Sequence, residues 1–337
     1  MPRLTFLLRT TPPAYCKQAA AKFDEMMDTA ITKIFDWGLN PTSQAILTLP
    51  FRLGGCAIRP QLRIWEVAYE SSVSAIPLAQ CAAMKVKEAE VYKDVVAQLE
   101  QVDPSKAVVF RNQGKSHAWM TAWMHGWLMP PEAWNEQMKL RLFSSGLPLG
   151  SSWECVCGKR IADASHVFSC QKFSKTPRHD AVKDVLVRCL QDLGVDAVSE
   201  PRSRTLEHTQ ERPDIAFSLH GTRYILDVTV IYEAARDLQD RRKDVPAHRK
   251  LSAVEMARER KIGENADWAR EQQANFVPVV LGTTGKLEKS CRKWLNTVAR
   301  KCGRPEWARE TIAKLAVRVA EGNAKLVWSL RDEMKCV

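Results

Sequence analysis

Residues 212–230 read RPDIAFSLHGTRYILDVTV, and this stretch decides the fold of the chain. Two runs rich in β-branched and aromatic residues flank the pair His220-Gly221, a pattern typical of a β-hairpin with a tight turn. Asp214 lies early on the first predicted strand, and Asp227 lies in the middle of the second. Because neighbouring strands of a hairpin bring such side chains together, we expect the two carboxylates to meet.

Asp227 stands in the apolar run YILDVTV, where an aspartate has to be stabilised by a cation or by hydrogen bonds. Two adjacent carboxylates are suited to hold Mg²⁺ against the phosphate of a nucleic acid. The alternative is a hairpin whose acids form salt bridges with charged neighbours such as Arg212 and carry no chemistry. We take the metal site as the working hypothesis.

The segments around the hairpin complete a mixed α/β (α+β) arrangement. Apolar residues recur with a helical period over 181–193, and Gly194 ends that helix. Residues 195–199 favour a strand, residues 251–273 favour a charged helix, and residues 276–282 favour a buried strand. The predicted order is helix, three strands, helix and strand, which is the αβββαβ order of the PD-(D/E)xK nuclease core.

The nuclease pattern of two acids and a lysine is incomplete within the hairpin. The lysine would stand two residues after Asp227, and Thr229 occupies that position. The following segment offers Lys243, Lys250 and Lys261 in its place. Lys261 is favoured because it follows Ala253 and Ala257 at a spacing of four residues, so the three share one helix face. We expect this small-residue face to pack onto the sheet, which lets the long lysine stem reach the carboxylates.

Other polar residues near the hairpin are candidates for metal or phosphate contacts. Glu200 ends the predicted strand at 195–199 and is either a further catalytic metal ligand or a strand-end acid without a role. Arg178 and His179 stand at a predicted helix start, where they would contact a phosphate. Between the hairpin and the following helix, a basic run that we expect to lie beside the substrate backbone consists of Arg241, Arg242, Lys243 and Lys250.

A cluster of metal ligands precedes the predicted nuclease core. Cys155, Cys157, His166 and Cys170 fall within sixteen residues, and Gly158 allows a turn between them. Four such ligands match the tetrahedral coordination of Zn²⁺, and a full set of four protein ligands is typical of a structural site. The alternative is a chance grouping of buried cysteines.

The N-terminal region predicts a strand over residues 4–9, a helix over 19–35 and a glycine turn in the segment LPFRLGG at 49–55. Together with the pair Phe23-Asp24, this segment resembles the thumb-side end of a reverse transcriptase from a non-LTR retrotransposon. Further along, Trp119, Trp123 and Trp127 are spaced as on one face of a helix, which favours core packing over stacking on bases.

Several motifs follow one another in a fixed order: Cys-x-Cys, His, Cys, Arg-His-Asp, Glu-Pro, Pro-Asp-x12-Asp and a helical lysine. This ordered combination resembles the C-terminal part of site-specific non-LTR retrotransposon proteins, which contains a restriction-endonuclease-like domain. The resemblance implies that Asp214 and Asp227 bind Mg²⁺ and that Lys261 orients or deprotonates water. It implies a DNA endonuclease that nicks its target so that the freed 3′ end primes reverse transcription. The implied partner is DNA, with element RNA as a second candidate. The implied parts are a thumb-like remnant at 1–77, a helical connector at 78–150, a CCHC zinc knuckle at 151–176, a nuclease core at 177–285 and a basic helical tail at 286–337.

The overall composition agrees with a nucleic-acid partner. The formal charge is +11, and the tail at residues 286–337 holds thirteen Lys/Arg against six Asp/Glu. The basic side chains of this tail either contact phosphates or are ordinary solvated lysines on helices that close the nuclease core. The chain has no apolar run of about 18 residues and no signal-peptide pattern, and its ten cysteines then indicate thiols or metal ligands. We expect an intracellular, nuclear protein without a membrane partner, and the rival hypothesis is an inactive nucleic-acid-binding remnant.

Overall fold

The computed structural model describes residues 2–35, 37–75, 81–144, 153–161, 163–200, 213–240 and 251–335. The chain divides into two compact units. The first comprises Met1–Gly114 and Leu142–Ser144, and the second comprises Lys115–Arg141 and Ser145–Val337. Helices together with a mixed sheet confirm the predicted α/β class.

In its described residues the first unit is helical. Its helices are α1 (Pro2–Thr10), α2 (Pro13–Ile34), α3 (Pro41–Thr48), α4 (Gln61–Val73), α5 (Ala82–Val102) and α6 (Pro104–Asn112). The strand predicted for residues 4–9 is wrong, because these residues lie in α1 and bury Leu8 in a cluster with Ile64 and Val67 of α4. A short apolar run is compatible with either state, and the packing against α4 decides it here.

Two local features fix the chain path in this unit. The Asp24 carboxylate of α2 accepts hydrogen bonds from the backbone N–H groups of Gln61 and Leu62, at 2.6 and 2.8 Å, and so caps the start of α4. The predicted glycine turn is also present. Gly54 has a φ of +89°, and a Cβ on Gly55 would lie 1.9 Å from the carbonyl oxygen of Leu49.

The second unit carries a four-stranded mixed sheet. Its elements are α7 (Pro131–Arg141), β1 (Trp153–Glu154), β2 (Arg160–Ile161), α8 (His166–Ser169), α9 (Thr176–Gln191), β3 (Val198–Ser199), β4 (Ile215–Leu219), β5 (Thr222–Ile231), α10 (Arg236–Asp240), α11 (Ala253–Glu271), β6 (Asn275–Gly282), α12 (Lys289–Lys301) and α13 (Trp307–Lys335). The sheet order is β3-β4-β5-β6, antiparallel except for the parallel pair β5 and β6. A parallel pair needs a crossover, and the chain between β5 and β6 contains α11.

Alternation along β5 divides the sheet into two packed faces. Tyr224, Leu226 and Val228 lie in a large cluster with residues of α9, α12 and α13. Ile231 lies in a second cluster with the start of α11, including Ala257. Successive strand residues point to opposite faces, so Asp227 points to the same face as Ile231, toward α11.

Helix α13 runs through two hydrophobic clusters. Its first half buries Trp307 and Leu315 in the cluster that covers the sheet, and the Trp307 Nε1–H donates to the carbonyl oxygen of Cys189 at 2.8 Å. Its second half buries Val327 and Leu330 beside the cysteine cluster. The predicted tail therefore closes the core through α13, and phosphate contacts by its exposed cations stay a prediction.

The tryptophan segment does not form the predicted helix. Residues 118–121 form turns, Ala122–His125 form a short 3₁₀ helix, and Gly126 follows with a φ of +76°. Trp119 is 2% exposed and Trp123 is 65% exposed, so the expected common face is wrong.

Among the described residues, no helix is long and apolar enough to cross a membrane.

Candidate functional site

Asp214 lies directly before β4, and Asp227 lies within β5. The ladder between β4 and β5 ends with Ile215 opposite Leu226, so Asp214 and Asp227 are the next residues beyond its last pair. Both side chains are largely buried, with 18% and 19% of their surface exposed. The Asp214 Oδ2 atom accepts a hydrogen bond from the backbone N–H of Val228 at 2.6 Å. The sheet therefore brings together the two carboxylates that the sequence singles out.

Lys261 reaches Asp227 from the neighbouring helix. Its Nζ lies 2.8 Å from Asp227 Oδ2 and 3.9 Å from Glu264 Oε2. Ala253 and Ala257 on the same helix face are 0% and 1% exposed, as expected for a face packed on the sheet. Burial raises the pKa of the Asp227 carboxyl, and the hydrogen bond and charge of Lys261 oppose that rise.

His179 of α9 also joins this carboxylate pair. Its Nε2 lies 3.2 Å from Asp214 Oδ2 and 3.0 Å from the Val228 carbonyl oxygen, and its Nδ1 lies 3.2 Å from Asp180 Oδ1. The hydrogen bond to Asp214 raises the pKa of His179 to about 9, against the effect of burial, so the imidazole is protonated at neutral pH. Near the carboxylates it supplies a second positive charge beside that of Lys261.

The contact between His179 and Asp214 is absent from the expectations drawn from the sequence. A signal for it exists, because His179 precedes Val182 by three residues and Leu186 by seven, and both are fully buried in the cluster under the sheet. A residue on that helical face points to the strands that carry the acids.

Glu200 lies beside Asp214 through its backbone. Its N–H donates to the Asp214 carbonyl oxygen at 2.8 Å, whereas its carboxylate forms an ion pair with Lys183 and is 58% exposed. Lys183 Nζ also lies 3.5 Å from Asp180 Oδ1. Burial lowers the pKa of Lys183, but Glu200 and Asp180 outweigh it and the pKa is raised. The Glu200 carboxylate is therefore paired with Lys183 at the edge of the site.

Arg178 is not available for the phosphate contact expected from the sequence. Its side chain is 4% exposed, and its Nη1 donates to Asn323 Oδ1 of α13 at 2.7 Å. A Cβ on Gly322 would lie 2.4 Å from the Arg178 Cγ, so this glycine leaves room for the arginine stem. Arg178 therefore anchors α9 to α13 in the interior.

A buried polar network continues from this anchor. Asn323 Nδ2 donates to the carbonyl oxygen of Thr283 at 2.7 Å, and the Thr283 and Thr284 hydroxyl groups donate to the fully buried carboxylate of Glu233. The network joins the end of β6 to α13, and through Asn323 to the start of α9. The basic residues Arg241, Arg242, Lys243 and Lys250 lie outside the described residues.

Asp214 and Asp227 supply a donor set that suits Mg²⁺. This ion is commonly held by one or two carboxylates, with water and substrate phosphates as the remaining ligands. Two carboxylates that are largely buried, lie at the end of the β4–β5 ladder and have cationic neighbours fit such a partial site. The two aspartates alone do not make a complete metal site. Among the described residues, the cysteine cluster is the group that brings together three or more His, Cys, Asp or Glu ligands.

The cysteine cluster has the dimensions of a zinc site. The ligand atoms of Cys155, Cys157, His166 and Cys170 all lie within 4.8 Å of one another. The Sγ atoms of Cys155 and Cys170 are 3.8 Å apart, and Cys157 Sγ lies 3.5 Å from His166 Nε2. Tetrahedral Zn²⁺ with ordinary bond lengths requires separations of about 3.8 Å between sulfur atoms and about 3.6 Å between sulfur and nitrogen. The cluster could therefore bind zinc.

The surroundings of the cluster support this assignment. Burial and the nearby Lys159 lower the pKa of His166, so the ring is neutral at pH 7, the form that binds metal. Phe168 packs against Tyr232, which follows β5, and Val167 is fully buried beside Leu330 of α13. The cluster is thus attached to the sheet and to α13 by apolar contacts.

The comparisons with known proteins give a partial assignment. No protein-family model matches the chain. Over 316 residues it is 27% identical to the retrotransposable element SLACS 132 kDa protein of Trypanosoma brucei gambiense. The match covers 89% of this chain and 25% of that protein, so the chain spans about a quarter of the length of the curated relative it matches. The similarity supports a retrotransposon-derived protein.

Proposed function

We propose that this retrotransposon-derived chain is a Mg²⁺-dependent DNA endonuclease with a PD-(D/E)xK core. The observation that supports the proposal is that Asp214 and Asp227 meet at the end of the β4–β5 ladder, with Lys261 Nζ 2.8 Å from the Asp227 carboxylate. Two acids and a lysine on the order helix, three strands, helix and strand are the elements such a nuclease needs. The lysine comes from α11 instead of the strand position of Thr229.

In the proposed reaction, water adds to a phosphodiester phosphorus and the bond from phosphorus to the 3′ oxygen breaks. Asp214 and Asp227 would hold Mg²⁺, which lowers the pKa of bound water and neutralises charge on the phosphate. As the ammonium partner of Asp227, Lys261 would orient the water by donating a hydrogen bond; it would take up the proton of the water only after giving its own proton to solvent. The products are a 5′-phosphate and a 3′-hydroxyl, and the 3′ end then primes reverse transcription.

The same proposal assigns the other parts of the chain. Zn²⁺ in the cluster of Cys155, Cys157, His166 and Cys170 keeps the knuckle rigid, and the helical N-terminal region is a thumb-like remnant. DNA is the partner, with element RNA as a second one, and the nucleus is the place of action. The proposal assigns no polymerase palm to these residues.

Plasmid nicking tests this function. Zinc-loaded protein should convert supercoiled plasmid to open circles with Mg²⁺ and not with EDTA, and Asp227→Asn should abolish the conversion. Asp267→Asn is the matched control, since Asp267 lies on α11 with 85% of its side chain exposed. Extension of the nicked strand by a DNA polymerase would verify a 3′-hydroxyl. Nicking by Asp227→Asn at the wild-type rate would overturn the proposal.

The competing function is a nucleic-acid-binding protein without nuclease activity. It is favoured by Thr229 at the strand position and by Glu264, whose carboxylate lies 3.9 Å from Lys261 Nζ. In that case Lys261 only neutralises the acids. This alternative predicts salt-sensitive DNA binding that is independent of Mg²⁺, together with no cleavage under any condition.

A further inference from the structure

The hydrogen bonds at Asp214 are asymmetric. Val228 N and His179 Nε2 both contact the same carboxylate oxygen, Oδ2, at 2.6 and 3.2 Å. His179 Nε2 also lies 3.0 Å from the Val228 carbonyl oxygen. Both neighbours of this nitrogen are acceptors, so Nε2 carries the hydrogen and donates it. Within the described residues, the hydrogen bonds that reach this carboxylate end on Oδ2, and Oδ1 is the oxygen left to a cation.

The imidazole ring is itself held in place from both sides. Asp180 Oδ1 lies 3.2 Å from Nδ1, so neither ring nitrogen is open to a phosphate. The backbone of α9 is fixed by Val182 and Leu186, both fully buried, and by the buried contact of Arg178 with Asn323. His179 is therefore presented to Asp214 by a rigid helix, which is the arrangement expected of a residue that orients a metal ligand.

We propose that His179 is a positioning residue that fixes the Asp214 carboxylate through Oδ2, so that Oδ1 would be the oxygen available to a divalent cation. This inference rests on the proposed function of the site, and it replaces the phosphate contact expected for His179 from the sequence. Without the ring, the Asp214 side chain keeps its bond to Val228 N but gains freedom to rotate. Replacing an outer partner of a metal ligand typically weakens metal affinity by about 10-fold to 100-fold.

Mn²⁺ binding measured by electron paramagnetic resonance tests the role without relying on cleavage. The zinc-loaded protein is titrated with Mn²⁺, and Asp227→Asn provides the baseline for binding elsewhere. His179→Leu should bind Mn²⁺ about 10-fold or more weakly than wild type. His179→Gln, whose Nε2 donor reaches a similar position, should recover much of the affinity. Thermal unfolding of each variant separates an effect on the site from general loss of structure.

The outcomes distinguish this inference from the proposed function. If wild type binds Mn²⁺ no better than Asp227→Asn, both the metal site and the role of His179 are rejected. If wild type binds and folded His179→Leu binds equally well, the role of His179 alone is rejected. If leucine weakens binding and glutamine does not restore it although both variants fold, a donated hydrogen bond is not the basis of the effect, and the proposal fails.

Discussion

Replacing Lys261 by methionine removes the charge of the lysine and keeps the length of its stem. At 2.8 Å and an effective dielectric constant of about 20, the attraction between Lys261 and Asp227 is about 6 kcal/mol before desolvation is counted. Most of this is offset by the cost of burying the two charges, and each side chain keeps about a fifth of its surface in water. Asp227 can also take up a proton, since burial raises its pKa. We therefore expect a net loss of about 1–3 kcal/mol in the free energy of unfolding.

The effect on catalysis should be larger than the effect on stability. A general base or a group that orients water typically contributes about 10²-fold to 10⁴-fold, so we expect at least a 100-fold slower nicking rate for Lys261→Met. Urea unfolding measures the first effect, and the rate of plasmid nicking at saturating Mg²⁺ measures the second. Arg270→Met is the matched control: it removes a cation from the same helix, but its side chain is 77% exposed and it pairs with an exposed aspartate.

Two results would refute this reasoning. A nicking rate within about threefold of wild type would show that the chemical step does not use Lys261. Unchanged stability of Lys261→Met at pH 7 would show that its ion pair with Asp227 contributes no net free energy. Arg270→Met should match wild type in both assays, and a loss of nicking there would point to a general effect of charge on DNA binding.

Three further predictions each need one measurement. Chelation of zinc or Cys170→Ser should lower the melting temperature in calorimetry, because the cluster packs on α13; an unchanged value would contradict a structural zinc. Without divalent cation, NMR should find the pKa of His179 near 9 in the wild type and at a lower value in Asp214→Asn. The contribution of the His179–Asp214 interaction to the free energy of unfolding is complete below pH 6.5 and is lost as the pH rises through about 9. Gly282→Ala should destabilise the protein in urea unfolding, because its Cβ would lie 2.1 Å from a buried carboxylate oxygen, whereas Gly263→Ala, with nothing within 4 Å, should not.

The hairpin and the helix before β6 follow from local pattern. The turn at His220-Gly221 and the alternation of the flanking strands fix the register, and this register brings Asp214, directly before β4, to the end of the ladder next to Asp227. The spacing of Ala253 and Ala257 similarly predicts which face of α11 is buried, and with it the direction of Lys261. In each case the decisive contacts lie within one element or between sequential strands.

The sequence fails where distant contacts decide. The state of residues 4–9 depends on burial against α4, and the role of Arg178 depends on Asn323, which is 145 residues away in the chain. The spacing of the tryptophans indicates a helix, yet Gly126 takes a positive φ and the segment forms turns. Helical periodicity also placed His179 at a helix start without showing that its ring meets Asp214.

The position of α13 in the chain has a consequence for synthesis of the protein. The sheet and the cysteine cluster both come earlier in the sequence, but each completes its core with residues from Trp307–Lys335. Domains fold as units while the chain emerges from the ribosome. Neither the candidate nuclease nor the candidate zinc site can therefore reach its final packing until α13 has been translated. A stop or frameshift before that helix would leave both clusters without the α13 residues that complete them, although the acids and cysteines would already be made.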